Sequence, residues 1–328
     1  MFKLSRALAA SSALLALLYV APATAAGPKT WVSNAGTDSA SCGAVTAPCR
    51  TLQQGHDNVA AGGEVGVLNP GDYAKSNTLA ISKSVSIIND GAGEASILAG
   101  VYGGLGVYVS AGQGDVISLR GLVIDGQTAG NDGIYVLQAS AAHIQNCVVR
   151  NFEQVEGGIG IAFTPTGNGQ LFVSDTIVFN NGSSSPTSAG ILIRPLGVAV
   201  VALDRVHVED NTEGLAIDGT FAVGIGAHVV VRDSVFSGNT VNGIHAFTAP
   251  GMAAAFAYVE RSSTVSNLQN GILAEGPGAT VLLSNSAVTR NAVGIATANS
   301  GQLISYRNNR INNNIGPDGT ATSFYTLN

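Results

Sequence analysis

A chain of 328 residues with 11% charged side chains, 42 glycines and a single tryptophan does not carry the ring-built core of an ordinary globular domain. Few aromatics beside abundant Val, Ile and Ala suit an interior of stacked aliphatic layers instead. The formal net charge of −6 argues against a surface made for nucleic acid or for an anionic membrane.

Residues 1–26 read as a secretory signal peptide. Lys3 and Arg6 precede the apolar run Ala7–Val20, and Pro22 with Ala23-Thr24-Ala25 supplies a small-residue cleavage site. The run is short for a spanning helix, so no membrane span is expected after cleavage, and the mature protein is expected to be secreted or periplasmic. Losing Lys3 and Arg6 moves the formal charge from −6 to −8. In an oxidising compartment Cys42 and Cys49, which bracket a loop, are the natural disulfide. Cys147 reads as a small, inert free thiol at a bend.

Residues 27–80 are expected to form an N-terminal cap. Thr30–Ser33 reads as a strand, Asn34–Cys49 as the stapled loop, and Thr51–Ala60 as a short helix with Leu52, His56 and Val59 on one side. A strand from Glu64 to Leu68 follows Gly62-Gly63. Stacked sheets expose unpaired backbone at their ends, and a helix placed here would plug the first layer. Val85–Ile88 and Ser96–Leu98 then read as two more strands, split by a Gly-rich turn.

From residue 81 to about 315 one pattern keeps returning: a small or polar residue, a Gly and an aliphatic. The aliphatics are Val107, Ile134, Ile161, Ile191, Leu215, Ile244, Ile272 and Ile295, in steps of 23 to 30 residues. Self-similarity at such a period marks a solenoid, whose units bury their apolar faces only against one another. Inside each unit the apolar period is two and β-branched residues dominate, so the elements are strands. Between them Asn and Asp recur, as at Asn146, Asp175, Asp233 and Asn285, and these residues tolerate left-handed bends. Three strands per turn joined by such bends predict an all-β fold, a right-handed parallel β-helix (solenoid) with a short N-terminal helical cap. Residues 316–328 remain as a C-terminal tail, whose Phe324 and Tyr325 are placed to cover the far end.

The opening segments Trp31-Val32-Ser33-Asn34-Ala35-Gly36-Thr37-Asp38, Ala47-Pro48-Cys49-Arg50-Thr51-Leu52-Gln53 and Val65-Gly66-Val67-Leu68-Asn69-Pro70-Gly71-Asp72-Tyr73 resemble those of secreted bacterial right-handed parallel β-helix proteins of the pectin-lyase-like superfamily. The resemblance covers essentially the whole mature chain. It implies the fold and an extracellular setting, but not one activity, because lyases, hydrolases, esterases and epimerases share this architecture.

The chain lacks the superfamily's best-marked catalytic patterns. There is no Asn-Thr-Asp, Gly-His-Gly or Arg-Ile-Lys set, and Arg194-Pro195 is followed by Val198 and Ala199 where the pectate-lyase pattern Arg-x-Pro-x-x-Arg needs its second Arg. No His or Cys spacing calls for a metal, and no motif calls for a cofactor.

Strand alternation offers a second approach. If each Gly-aliphatic strand starts with its aliphatic inward, Leu192 and Arg194, Ala216 and Asp218, His245 and Phe247, and Leu273 and Glu275 face outward. Stacked, Arg194, Asp218, His245 and Glu275 form one candidate catalytic group, with Asp218 beside Arg194 as base and Glu275 beside Phe247 as acid. Phe247 and Tyr135 are candidate sugar-stacking rings. Alternating charges on a solenoid face also serve as solvated ion pairs worth under about 1 kcal/mol each.

Two functions fit the sequence. One is an exported protein that binds a polysaccharide or cell-surface glycan along its solenoid face and, if an enzyme, is a hydrolase or lyase. The other is a non-catalytic surface or periplasmic scaffold. The extended segments Asn151–Gly158, Asn181–Ala189 and Ala246–Ala253 are expected to wall the binding face.

Overall fold

The structure, a computed structural model, describes residues 27–326 apart from positions 76, 101, 102 and 186. The expected signal peptide lies outside the described residues. Three parallel sheets of 12, 9 and 10 strands run the length of the molecule, and each sheet takes one strand per turn of the chain. The result is a right-handed parallel β-helix with one short helix at its N-terminal end.

Stacked aliphatic columns fill the interior. Val107, Ile134, Ile161, Ile191, Leu215, Ile244, Ile272 and Ile295 pair rung to rung in unbroken register, and all are buried. The twelve-stranded sheet contributes a second column through Leu119, Ile144, Val173, Leu203, Val231, Val259 and Leu283. Ile124, Val149, Val178, Val208, Phe236, Thr264 and Val288 complete the third wall. Side chains stacked in register against one another in this way make the close contacts that a dense interior requires.

Left-handed residues turn the chain between sheets. Asn146, Asp175, Asp233 and Asn285 have φ of 52°, 50°, 49° and 46°, as expected for residues that bond neighbouring peptide groups. Arg205 and Arg261 occupy the same bend at 50° and 48°, a conformation that carries a steric penalty for a long side chain. Each holds the carboxylate one rung back in a two-pronged ion pair, Arg205 with Asp175 and Arg261 with Asp233. The bend therefore alternates acid and base along the axis.

One position further on, the counterparts of Cys147 are Thr176, Val206, Ser234, Ser262 and Ser286, and where the next of these carries a hydroxyl the backbone N–H donates to it. Cys147 itself is fully enclosed, and burial pushes its thiol up to about 11.

At the following bend a column of asparagines runs through Asn181, Asn211, Asn239, Asn267 and Asn291, all buried, to the half-buried Asn314. The Nδ2 of Asn239 donates to Asn267 Oδ1 at 2.8 Å and to the Val208 carbonyl at 3.3 Å, while its Oδ1 accepts from the N–H and Nδ2 of Asn211. Asn151 and Asn180 lie one residue earlier, at the left-handed corner itself. The column ends where Asn314 donates to Asp318 at 2.8 Å. Its presence explains the recurring glycine: a Cβ on Gly243 would stand 2.7 Å from both Asn267 Nδ2 and the Gly271 carbonyl.

Leu52–Asn58 forms the capping helix, with Thr51 accepting from Gln54 N–H as N-cap. Leu52 and His56 face inward with Val59. The Cys42–Cys49 disulfide is formed, and Asn58 Nδ2 holds its loop through the carbonyls of Ser39 and Cys42. Strands Val59–Val67, Gly71–Asp72 and Leu79–Ile81 already take places in the three sheets, so the solenoid starts within the segment expected as cap. The tail adds a strand, Ser323–Phe324, to the edge of the twelve-stranded sheet. Phe324 and Tyr325 stay half exposed there instead of covering the end.

Asp132, on the nine-stranded sheet, is 4% exposed and its Oδ1 has no hydrogen-bond partner. Burial pushes its carboxyl up to about 6, with only the Ile159 N–H opposing.

Two tests follow from this packing. Replacing Asn239 by Ala orphans several buried groups, so urea unfolding is expected to show a loss of about 3–5 kcal/mol; a loss below 1 kcal/mol would contradict the load assigned to the column. Asp132 works in the opposite sense. As pH rises from about 4 to about 6 the unfolded chain releases a proton that the folded chain retains, so stability falls across that window and the penalty is complete above it. Asp132→Asn is therefore expected to stabilise the protein by about 2–3 kcal/mol at pH 8 and to have no effect below pH 4, as read from melts at both values.

Candidate functional site

The outer face of the nine-stranded sheet is where in-register stacking brings distant residues together. One outward column reads Tyr108, Tyr135, Ala162, Leu192, Ala216, His245, Leu273. A second reads Asp218, Phe247, Glu275, with Arg194 directly after the strand Ala189–Ile193. Ile159, Ala162, Ala189, Leu192 and Ala216 form a small buried apolar cluster on this outer side, separate from the interior. The face is thus covered, and its floor is greasy.

A cleft of about 570 Å³ opens over this floor. Thr187 and Ser188 from one long segment and Thr248, Ala249 and Pro250 from another form its walls, joined by Gly276 and Pro277. The third long segment, Asn151–Gly158, does not reach it. Arg194, His245, Phe247 and Glu275 all line the cleft, as does Glu213, which the sequence reading passed over.

Glu213, His245 and Glu275 form a chain of contacts. His245 Nδ1 lies 3.3 Å from Glu213 Oε1, which also accepts from Asn242 Nδ2 at 3.0 Å. On the other side of the ring, Nε2 lies 3.3 Å from Glu275 Oε2, a contact not aligned as a hydrogen bond. Both His245 Nε2 and Glu213 Oε2 are buried without a hydrogen-bond partner. Asn299 Nδ2 donates to the remaining oxygen of Glu275 at 2.9 Å. The Glu275 side chain is 37% exposed, against 13% for Glu213 and 15% for His245, so Glu275 is the member of the chain that meets solvent. The Phe247 ring packs 4.8 Å from the His245 ring.

Asp218 departs from the expectation of an exposed base. It is 2% exposed, accepts from Arg194 Nε at 2.7 Å and from Thr220 N–H at 2.9 Å, and lies beneath the guanidinium. Its geometry suits it to hold Arg194 in place, while Arg194 itself leans toward the Phe221 ring, 5.8 Å away. Tyr135 does face outward, but four rungs from His245, roughly 19 Å along the axis at about 4.8 Å per rung. It packs against the apolar cluster and Tyr108, outside the cleft.

Glu213 had one sequence signal: it fills the first place of the recurring motif, where most units carry a small, apolar or amide residue. Asp132 is the other acid at that place. Among the described residues no group of three His, Cys, Asp or Glu side chains is positioned to hold a metal ion, and no helix is long and apolar enough to cross a membrane.

Comparison with known proteins agrees with this architecture. The crystal structure of pectate lyase Pel9A superposes with a TM-score of 0.65 at 16% identity, over 91% of this chain and 78% of that one. A crystal structure of alginate lyase from Paenibacillus sp. str. FPU-7 gives 0.54 at 14% identity, over 89% and 97%. Likeness at such identity carries the fold alone. No curated protein matches the sequence. The family described as the right handed beta helix region matches residues 101–314, well over half of the sequence, and the chain belongs to that family.

Proposed function

We propose that this is an exported protein that binds a polysaccharide in the cleft over the nine-stranded sheet and hydrolyses it there. The observation that carries the reading is the Glu213–His245–Glu275 chain, set beside the Phe247 ring in a walled cleft with an apolar floor. Export is supported by the disulfide and by the signal-like N-terminus. The solved structures of similar fold are a pectate lyase and an alginate lyase, which fits an extended glycan lying along a solenoid.

In this reading Phe247 offers its face to the C–H side of a sugar ring. Glu275, the exposed carboxyl, gives a proton to the glycosidic oxygen as the bond to the anomeric carbon breaks. A water then adds to that carbon and its proton returns to Glu275. Asn299 holds Glu275 in position, and His245, with its Nδ1 side fixed by Glu213, stands beside that carboxyl. Arg194, braced by Asp218, anchors the substrate on the opposite wall. Elimination is the weaker alternative, because it requires cations around a uronate carboxylate and the one guanidinium in the cleft is already paired.

Release of reducing ends from a panel of polysaccharides tests this directly. Glu275→Gln and His245→Ala are each expected to lower turnover by about 10²-fold or more, with Glu275→Gln shifting stability by no more than about 0.5 kcal/mol. Asp218→Asn is expected to lose about 1–3 kcal/mol as well, because it breaks a buried ion pair. Full activity in Glu275→Gln would remove the catalytic assignment, and binding without turnover in the parent protein would make the cleft a carbohydrate-binding site only.

A further inference from the structure

Resting on that reading, we infer that the glycan carries free amino groups: the cleft is built for a cationic, unacetylated amino sugar and not for a polyuronate. The charges in the cleft point this way. Among the described residues Arg194 is the only Lys or Arg in its lining, and its Nε is bound to Asp218, so that pair is electrically neutral. Glu213 and Glu275 remain, and neither pairs with a Lys or Arg among the described residues. Counted formally beside a neutral imidazole, the cleft carries one negative charge while Glu275 holds the proton it gives to the glycosidic oxygen and two once that proton has left. The sequence as a whole is acidic too, at −6.

Burial sharpens the argument. The Glu213 side chain is 13% exposed and its Oε2 has no partner, an arrangement that costs free energy until a donor arrives. An ammonium supplies both charge and up to three donors. The adjacent Phe247 ring adds a face over which a cation is attracted, and Leu192 and Ala216 give the floor an apolar patch for the ring carbons. A uronate would bring its carboxylate toward Glu213 and Glu275 with no free cation to receive it. Like charges at such distances repel strongly where water is excluded.

Calorimetry with a glucosamine hexamer, its fully N-acetylated counterpart and hexagalacturonate reads the inference. The amine-bearing hexamer is expected to bind at least about tenfold more tightly than the acetylated one, and more weakly as salt rises. Glu275→Gln and Glu213→Gln are each expected to weaken amine binding by about tenfold or more and to weaken the acetylated hexamer by a smaller factor, so that the preference for the amine narrows; Glu275→Gln, at a partly exposed position, keeps the test valid if Glu213→Gln fails to fold. Equal affinity for the two hexamers, a preference for hexagalacturonate, or tighter binding of an oligolysine peptide would overturn the amino-sugar assignment. Tight binding of hexagalacturonate with cleavage that depends on Glu275 would leave the hydrolytic reading standing. Absence of binding and turnover with every glycan would overturn both.

Discussion

The buried asparagine column is the interaction on which the rest of the molecule depends. Aliphatic columns drive burial, but they are tolerant: an Ile stacks on a Val or a Leu with little preference for axial position. Amides are not tolerant. Each Asn from 181 to 291 accepts from the rung before it and donates to the rung after it and to backbone carbonyls. A slip of one residue would leave several of these groups unpaired in an interior that excludes water, at roughly 1–3 kcal/mol for each. The column therefore sets the register, and the aliphatics fill it. Glycine at the head of the next strand is the complement of this arrangement, because the amide and the facing carbonyl occupy the volume a side chain would take.

Register at this precision makes a catalytic-type cluster possible on a surface with few charges. Glu213, His245 and Glu275 lie about thirty residues apart in sequence, yet they sit on three successive rungs about 4.8 Å apart, in different columns of one sheet. Loops then convert an open face into a cleft. They also change the electrostatics of what they cover: Arg194 and Asp218 would be an ordinary surface pair on a bare solenoid, whereas Asp218 under the turn that carries Thr220 and Phe221 is almost fully enclosed.

These two layers differ in how far the sequence discloses them. The inward column from Val107 to Ile295 was legible because a strand of period two admits one inward phase, and the Gly before each aliphatic marks it. Asn146, Asp175, Asp233 and Asn285 were legible as bends for a similarly local reason. Arg205 and Arg261 were not, since nothing in their own chemistry favours left-handed backbone; the stabilising carboxylate belongs to another rung. Glu213 escaped because alternation breaks at the glycine. Gly214 faces the interior beside Leu215, its absent Cβ pointing at the Asn239 amide, and the pairing skips that residue. Counting back in twos from Leu215 therefore puts Glu213 inside, when it faces out. Asp218 shows the other limit: alternation gave its direction correctly, but its burial comes from a loop whose path no periodicity encodes.

The Arg194–Asp218 pair and the Glu213–His245–Glu275 chain make opposite electrostatic choices within one cleft. The first is closed: the carboxylate is enclosed, both of its oxygens are engaged, and its partner has spent its charge. Such a pair adds little to stability against an apolar alternative, so its value lies in fixing a side chain at the cleft wall. The second is open, with an imidazole nitrogen and a carboxylate oxygen left without partners where desolvation makes that costly. A fold selected only for stability would remove the open set, because replacing it by the Ala and Leu that occupy equivalent outward places in neighbouring rungs would cost nothing in register. Its presence in a chain otherwise poor in charge is the physical argument for the proposal that this one stretch of the solenoid face binds a ligand.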